Sequence, residues 1–152
     1  LRSTGMARVQ MPYGDTHLAD LPDGPLVLIA AGTGMGQMHS LIEHCRAAGF
    51  AHPVHLYWGA RRPEDFYELP HWAEWQQLDN LHLHQVVSDQ CGWQGRCGLL
   101  HEAVREDFPS LKSLHVYASG SPAMVYATLD ALVEAGMDAH QMRADVFAYA
   151  PR

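Results

Sequence analysis

Apolar and polar positions over residues 25–149 switch repeatedly between two periods. Residues 26–31 (LVLIAA) are an unbroken apolar run between Pro25 and Gly32, the pattern of a strand buried on both faces. Met38, Leu41, Ile42 and Cys45 then recur at helical spacing, which predicts an amphipathic helix over 36–48 that Gly49 ends. A second strand is predicted over 54–58, and a helical segment from Pro63 towards Trp75, with Glu64 and Asp65 in its first turn and a break at Pro70. Strands over 81–87, 114–118 and 141–147 alternate with a glycine-bearing loop over 88–98 and helices over 99–108 and 122–135. Such alternation builds βαβ units, so the expected class is α/β: three layers around an open parallel sheet of five strands. Residues 1–24 break the pattern with Gly5, Pro12, Gly14, Pro22 and Gly24, and read as an extended arm before a domain over 25–152.

In an open parallel sheet, ligands bind beyond the carboxyl ends of the strands, where the strand order reverses. The residues following each strand therefore carry the functional expectation. After the first strand comes Gly32-Thr33-Gly34-Met35-Gly36. Glycines let the backbone turn tightly and approach a ligand, and the following helix offers unpaired N–H groups and a partial positive charge to a phosphate. After the fourth strand comes Ser119-Gly120-Ser121-Pro122-Ala123-Met124, with two hydroxyls at a helix start and proline suited to its first position. Together the turns predict a shared cleft in a Rossmann-like nucleotide-binding domain with strand order 3-2-1-4-5. The glycine spacing departs from G-x-G-x-x-G, because the third glycine comes one residue early. The second strand ends in Gly59-Ala60-Arg61-Arg62 rather than an acid, which leans towards a 2′-phosphate and hence NADPH.

Composition narrows the function. Ten basic against seventeen acidic side chains give a net charge of −7, which argues against nucleic acid or anionic membrane as partner. No apolar run is long enough to span a bilayer, and no leader opens the chain. Cys45, Cys91 and Cys97 are too few for a disulfide scaffold and fit a reducing, cytoplasmic setting. The eleven histidines show no ligand spacing such as HExxH, so no metal site is expected.

The quoted segments resemble the nicotinamide-binding domain of the ferredoxin–NADP reductase superfamily, most of all its NAD(P)H:flavin reductase branch. The resemblance runs in order through Leu28-Ile29-Ala30-Ala31-Gly32-Thr33-Gly34, Leu56-Tyr57-Trp58-Gly59-Ala60-Arg61, Gly92-Trp93-Gln94-Gly95-Arg96-Cys97-Gly98, Gly120-Ser121-Pro122-Ala123-Met124 and Asp145-Val146-Phe147-Ala148-Tyr149. It implies an oxidoreductase that binds NADH or NADPH and positions the nicotinamide for hydride transfer to a flavin. Gly32, Thr33, Gly34, Met35 and Gly36 would line the pyrophosphate and nicotinamide. Arg61 would lie at the adenosine end, and Gly120, Ser121, Pro122 and Met124 beside the nicotinamide. Ser119 stands where many members carry the cysteine next to the hydride path, and is the catalytic candidate. Phe147 would lie in the flavin-facing tail. Residues 7–21 resemble the closing strand of the flavin-binding barrel that precedes this domain in the family, and the rest of that barrel has no counterpart in the chain. FAD or FMN would then come from a missing domain or as free substrate. The implied partners are that flavin domain or a downstream electron acceptor. Little turnover is expected of the chain alone, and self-association through the face the barrel would cover.

Two rival readings remain from the residues. Gly32-Thr33-Gly34-Met35-Gly36 also fits the G-x-G-x-G turn of S-adenosylmethionine-dependent methyltransferases, although Ala30-Ala31 stands where those enzymes usually place an acid. The other is a non-catalytic nucleotide- or partner-binding module, with Trp58, Trp72, Trp75 and Trp93 as a contact surface.

Overall fold

A computed structural model describes residues 21–152. The arm expected over 1–24, with its barrel-strand resemblance over 7–21, therefore lies almost wholly outside the described residues. The apolar run forms β1 (Leu26–Ala31), and a 3-10 turn over Gly32–Gly34 leads directly into α1 (Met35–Ala47). There follow β2 (Val54–Ala60), a single 3-10 turn at Pro63–Asp65, α2 (Trp72–Trp75), β3 (Leu81–Val87), β4 (Arg96–Cys97) and α3 (Leu100–Asp107). The chain closes with β5 (His115–Ser119), α4 (Pro122–Glu134), β6 (Met142–Arg143) and α5 (Val146–Tyr149). All strands pair in parallel, in the order β4-β3-β2-β1-β5-β6. The long strands and β6 reproduce the expected 3-2-1-4-5 order, since the fourth and fifth strands of the sequence reading are β5 and β6.

Being central, β1 is buried on both faces. Val27 and Ile29 enter a core shared with α3 and α4, while Leu26, Leu28 and Ala30 enter a second core with α1 and Trp75. The stripe on α1 does what its spacing requires: Met38, Leu41, Ile42 and Cys45 are buried, joined by Met35.

Four expectations need correction. Among the described residues the sheet has six strands because β4 forms inside the segment read as a loop; Arg96 is drawn there by Asp107 and Glu106, at 2.6 and 3.0 Å. The helix from Pro63 towards Trp75 is reduced to two separate turns. Between them Phe66 and Leu69 turn inward onto the core, with the ring centre of Trp58 4.9 Å from that of Phe66 and 5.1 Å from that of Tyr67, both in edge-to-face geometry. Leu69 also precedes Pro70, which disfavours helical backbone. The fifth strand, expected over 141–147, has only Met142 and Arg143 in the ladder; α5 follows because a helical turn buries Val146 fully just as a strand would. Finally, Cys91 and Cys97 form a disulfide, their Cα atoms 5.2 Å apart, so cysteine usage gives no argument for a reducing compartment. Cys45 is a free, buried thiol, and burial raises its pKa to about 11. Among the described residues no helix is long and apolar enough to cross a membrane.

On the α3 side, His55 stacks on His82 and His84, and its Nδ1 lies 3.2 Å from Nε2 of His84. Burial, then repulsion from His82 and His84, pushes His55 from 6.5 down to about 4, with Asp107 partly opposing. Below pH 6.5 the unfolded chain takes up a proton at this ring that the folded chain refuses until about pH 4. The stabilisation is thus fully present above pH 6.5 and is lost as pH falls to about 4. Such a shift corresponds to at most about 3 kcal/mol, and solvent at a half-buried ring reduces this to about 1–2 kcal/mol. Denaturant unfolding at about pH 7.5 and about pH 4.5 should show that loss, and His55→Gln should flatten it without abolishing it, because burial also lowers His84.

Candidate functional site

The parallel register sets Ala30 beside Ser119, so the turns that follow β1 and β5 leave the sheet side by side. At Gly32 φ is +58°, a left-handed conformation that favours glycine. A Cβ added at Gly34 would lie 2.3 Å from the carbonyl oxygen of Ser119 and 2.6 Å from its carbonyl carbon. The backbones of the two turns therefore touch, and only glycine permits it. Gly120 completes the contact, since a Cβ there would lie 3.5 Å from Cβ of Ala31 and 2.3 Å from Cε of Met124. One junction thus gathers Gly32, Thr33, Gly34, Met35 and Gly36 with Ser119, Gly120, Ser121, Pro122 and Met124.

The two helix starts differ chemically. In α4 the Ser121 hydroxyl accepts from the Met124 N–H at 3.2 Å, so its first turn is capped. In α1 the N-cap is Gly34, with no side-chain cap and no acid in the first turn. The Met35 N–H is bonded to the Thr33 carbonyl, and the N–H groups that follow it in the first turn have no side-chain cap competing with an anion. Room exists for one: among the described residues nothing lies within 4 Å of a Cβ built at Gly32 or Gly36. Met35 is fully buried, so its side chain faces the core rather than a ligand. Ser119 is also buried, at 7% exposure.

Beside this junction a cleft of about 410 Å³ opens over the carboxyl ends of β1, β2 and β3, a size usual for small-molecule sites. Ala31, Arg61, Ser88, Leu99, His101 and Met124 are among its walls. Arg61 donates through Nε to Asp89 at 2.8 Å. Hydrogen bonds from Ser88 and from Arg61 hold the Asp89 carboxyl below its ordinary range. Nδ1 of His101 is buried and has no hydrogen-bond partner among the described residues, and burial lowers the pKa of the ring, favouring its neutral form. An orphaned polar atom in a cleft wall fits a site that closes on a polar ligand. Sequence reasoning missed Ser88, Asp89 and His101. The first two enter because Ser88 and Asp89 extend the ladder to Ala60 and Arg61 beyond the strand ends. His101 enters because α3 starts at the cleft, and its sequence carries no signal for that.

Phe147 does not join the junction or the cleft. In α5 its ring packs 5.5 Å from Tyr126 and lines a separate depression with Leu129 and His140. The four tryptophans form no exposed surface: Trp58 and Trp75 are buried, and Trp72 and Trp93 are half-buried.

A parallel α/β sheet, a glycine turn at the carboxyl end of its central strand and an adjoining cleft define a nucleotide-binding domain. The chain belongs to the oxidoreductase NAD-binding domain family, whose model matches residues 28–130. This sets aside the S-adenosylmethionine reading. Protein RfbI of Salmonella typhimurium is 34% identical over 150 residues, covering 97% of this chain and 44% of that protein. An NAD(P)H-flavin reductase of Vibrio harveyi is 33% identical over 154 residues, covering 98% of this chain and 64% of the relative. Among solved structures, the Amycolatopsis cytochrome P450 reductase GcoB superposes with a TM-score of 0.77 at 29% identity, covering 93% of this chain and 45% of that one. The chain thus spans roughly half the length of these relatives, between 44% and 64%.

Proposed function

We propose that the chain holds NAD(P)H for a flavin-dependent reductase, with the pyrophosphate on the Gly32–Gly36 turn and the nicotinamide beside Ser119–Met124. The uncapped start of α1, open above Gly32 and Gly36 and in backbone contact with the second turn, carries this reading. When bound, the nicotinamide supplies the hydride, and a flavin of the kind named in the Vibrio relative is the proposed acceptor. The chain's own part is positional. Exposed Thr33 and the N–H groups after Met35 in the first turn of α1 receive the phosphates, and the buried Ser119 backs the nicotinamide without facing bulk water. Arg61 at the cleft rim meets the adenosine end.

The Asp89 pairing bears on coenzyme choice. Arg61 is 80% exposed but paired with Asp89, so the lean towards NADPH is weaker than Arg61-Arg62 alone suggests. Calorimetric titration of the chain with NADH and NADPH tests both ideas. Both nucleotides should bind, Arg61→Ala should weaken NADPH, and Asp89→Ala should favour NADPH several-fold by freeing the guanidinium. Silence with either nucleotide at millimolar concentration overturns the assignment of the site; unchanged affinities in Arg61→Ala overturn only the role of Arg61.

A further inference from the structure

A second constellation lies outside the nucleotide cleft. His39 and Glu43 stand four positions apart on α1, so both leave the same face of the helix. His71, from the segment before α2, reaches that face. Ligand atoms of the three residues lie within 4.8 Å of one another, and the two imidazole rings are 5.6 Å apart.

Each group meets its neighbouring partners through one atom and keeps a second ligand atom. Nε2 of His39 is 3.3 Å from the Pro70 carbonyl, and Nδ1 of His71 is 3.4 Å from Oε1 of Glu74. With those nitrogens donating, each ring keeps its other nitrogen as a lone pair. Metal-binding histidines are ordinarily oriented in this way, through the nitrogen that does not bind. Oε1 of Glu43 accepts from Nε1 of Trp75 and Nη1 of Arg46, both at 2.8 Å, which leaves Oε2 available. His71 is the one non-glycine residue with positive φ, at 66°, among the described residues. That conformation is unfavourable for a residue with a Cβ, and here it brings the imidazole to α1. Arg46 is shared between Glu43 and Glu74, so two carboxylates face one guanidinium and the local charge favours a cation.

We propose that His39, Glu43 and His71 bind a Zn²⁺ ion, with water as the fourth ligand. Two imidazoles and a carboxylate suit Zn²⁺ and do not suit Mg²⁺ or Ca²⁺, which take oxygen ligands. A tetrahedral centre with bonds of about 2.0–2.1 Å needs its ligand atoms about 3.4 Å apart. Glu43 and His71 are 33% and 42% exposed, so their side chains have room to close that gap by rotation while Oε1 of Glu43 keeps its partners. The ion ties α1, and through it the glycine turn, to the strained segment before α2.

Calorimetry and thermal unfolding of the whole chain with ZnCl₂ test the proposal. One Zn²⁺ should bind and raise the melting temperature, and MgCl₂ should do neither. His39→Gln and His71→Gln should each weaken Zn²⁺ by about tenfold or more, the scale on which even an outer partner of a metal site matters. Glu43→Gln keeps an acceptor for Trp75, so the fold survives, and it should also weaken the ion. His82→Gln, in the stacked histidines of β2 and β3, is the control and should bind normally. Absence of Zn²⁺ binding by the wild type, unchanged affinity in both histidine variants, or an equal loss in His82→Gln overturns the site.

Discussion

Gly34→Val is expected to destabilise the domain by about 3 kcal/mol or more, the range of severe overpacking. The nearest atoms to the new Cβ are the carbonyl oxygen and carbon of Ser119, at 2.3 and 2.6 Å. Those are backbone atoms at the end of a buried strand, so no side-chain rotation relieves the clash. Either β5 separates from the turn after β1, or the turn itself opens. Both movements part the two halves of the proposed site, so nucleotide binding should be lost together with stability. Denaturant midpoints for wild type and variant measure the first effect. A variant within about 0.5 kcal/mol of wild type, the spread of ordinary surface changes, would show that the two turns are not in contact.

Gly36→Asp should separate binding from stability. Gly36 is the second residue of α1, and among the described residues nothing lies within 4 Å of a Cβ placed there. An acid in the first turn interacts favourably with the helix dipole, and leaving glycine improves helix propensity, so stability should rise by about 0.5–1 kcal/mol. The same carboxylate would sit where the coenzyme phosphates are proposed to lie. Loss of a phosphate site together with like-charge repulsion should weaken NADH and NADPH by roughly thirtyfold, about 2 kcal/mol. A stabilised variant with undiminished affinity would place the pyrophosphate elsewhere. Gly36→Ala, stabilising but uncharged, distinguishes crowding from charge.

The parts of this fold legible in the sequence are those in which local pattern and tertiary burial demand the same thing. Leu26–Ala31 has to be strand and central, because a continuous apolar run that short is buried on both faces only inside a sheet. The stripe on α1 and the proline start of α4 are equally direct. The two glycine turns follow from them, because strand ends in a parallel sheet are where binding residues cluster. Where pattern and packing compete, packing prevails. The acids after Pro63 favour a helix start, but Phe66 and Leu69 pack half-buried against the core around Trp58 and leave the helix after one turn. Val146 and Phe147 look like strand, yet the chain buries Val146 in a helical turn and carries Phe147 away from the cleft. Contacts between distant segments were not legible at all: Arg61 with Asp89, and His71 with His39, depend on register and loop path rather than composition. The four-residue spacing of His39 and Glu43 was the available hint of the latter.

Among the described residues the sheet ends at both margins in strands of only two residues. Arg96 and Cys97 cover β3 only at Val86 and Val87, and Met142 and Arg143 cover β5 only at Val116 and Tyr117. A template for another polypeptide needs a long, flat row of unpaired amides, and neither two-residue margin supplies one. The Cys91–Cys97 bridge fastens one of these short borders in place. Beyond it, the uncovered stretch of β3 includes His82 and His84, whose polar rings make a poor seam for fibril growth.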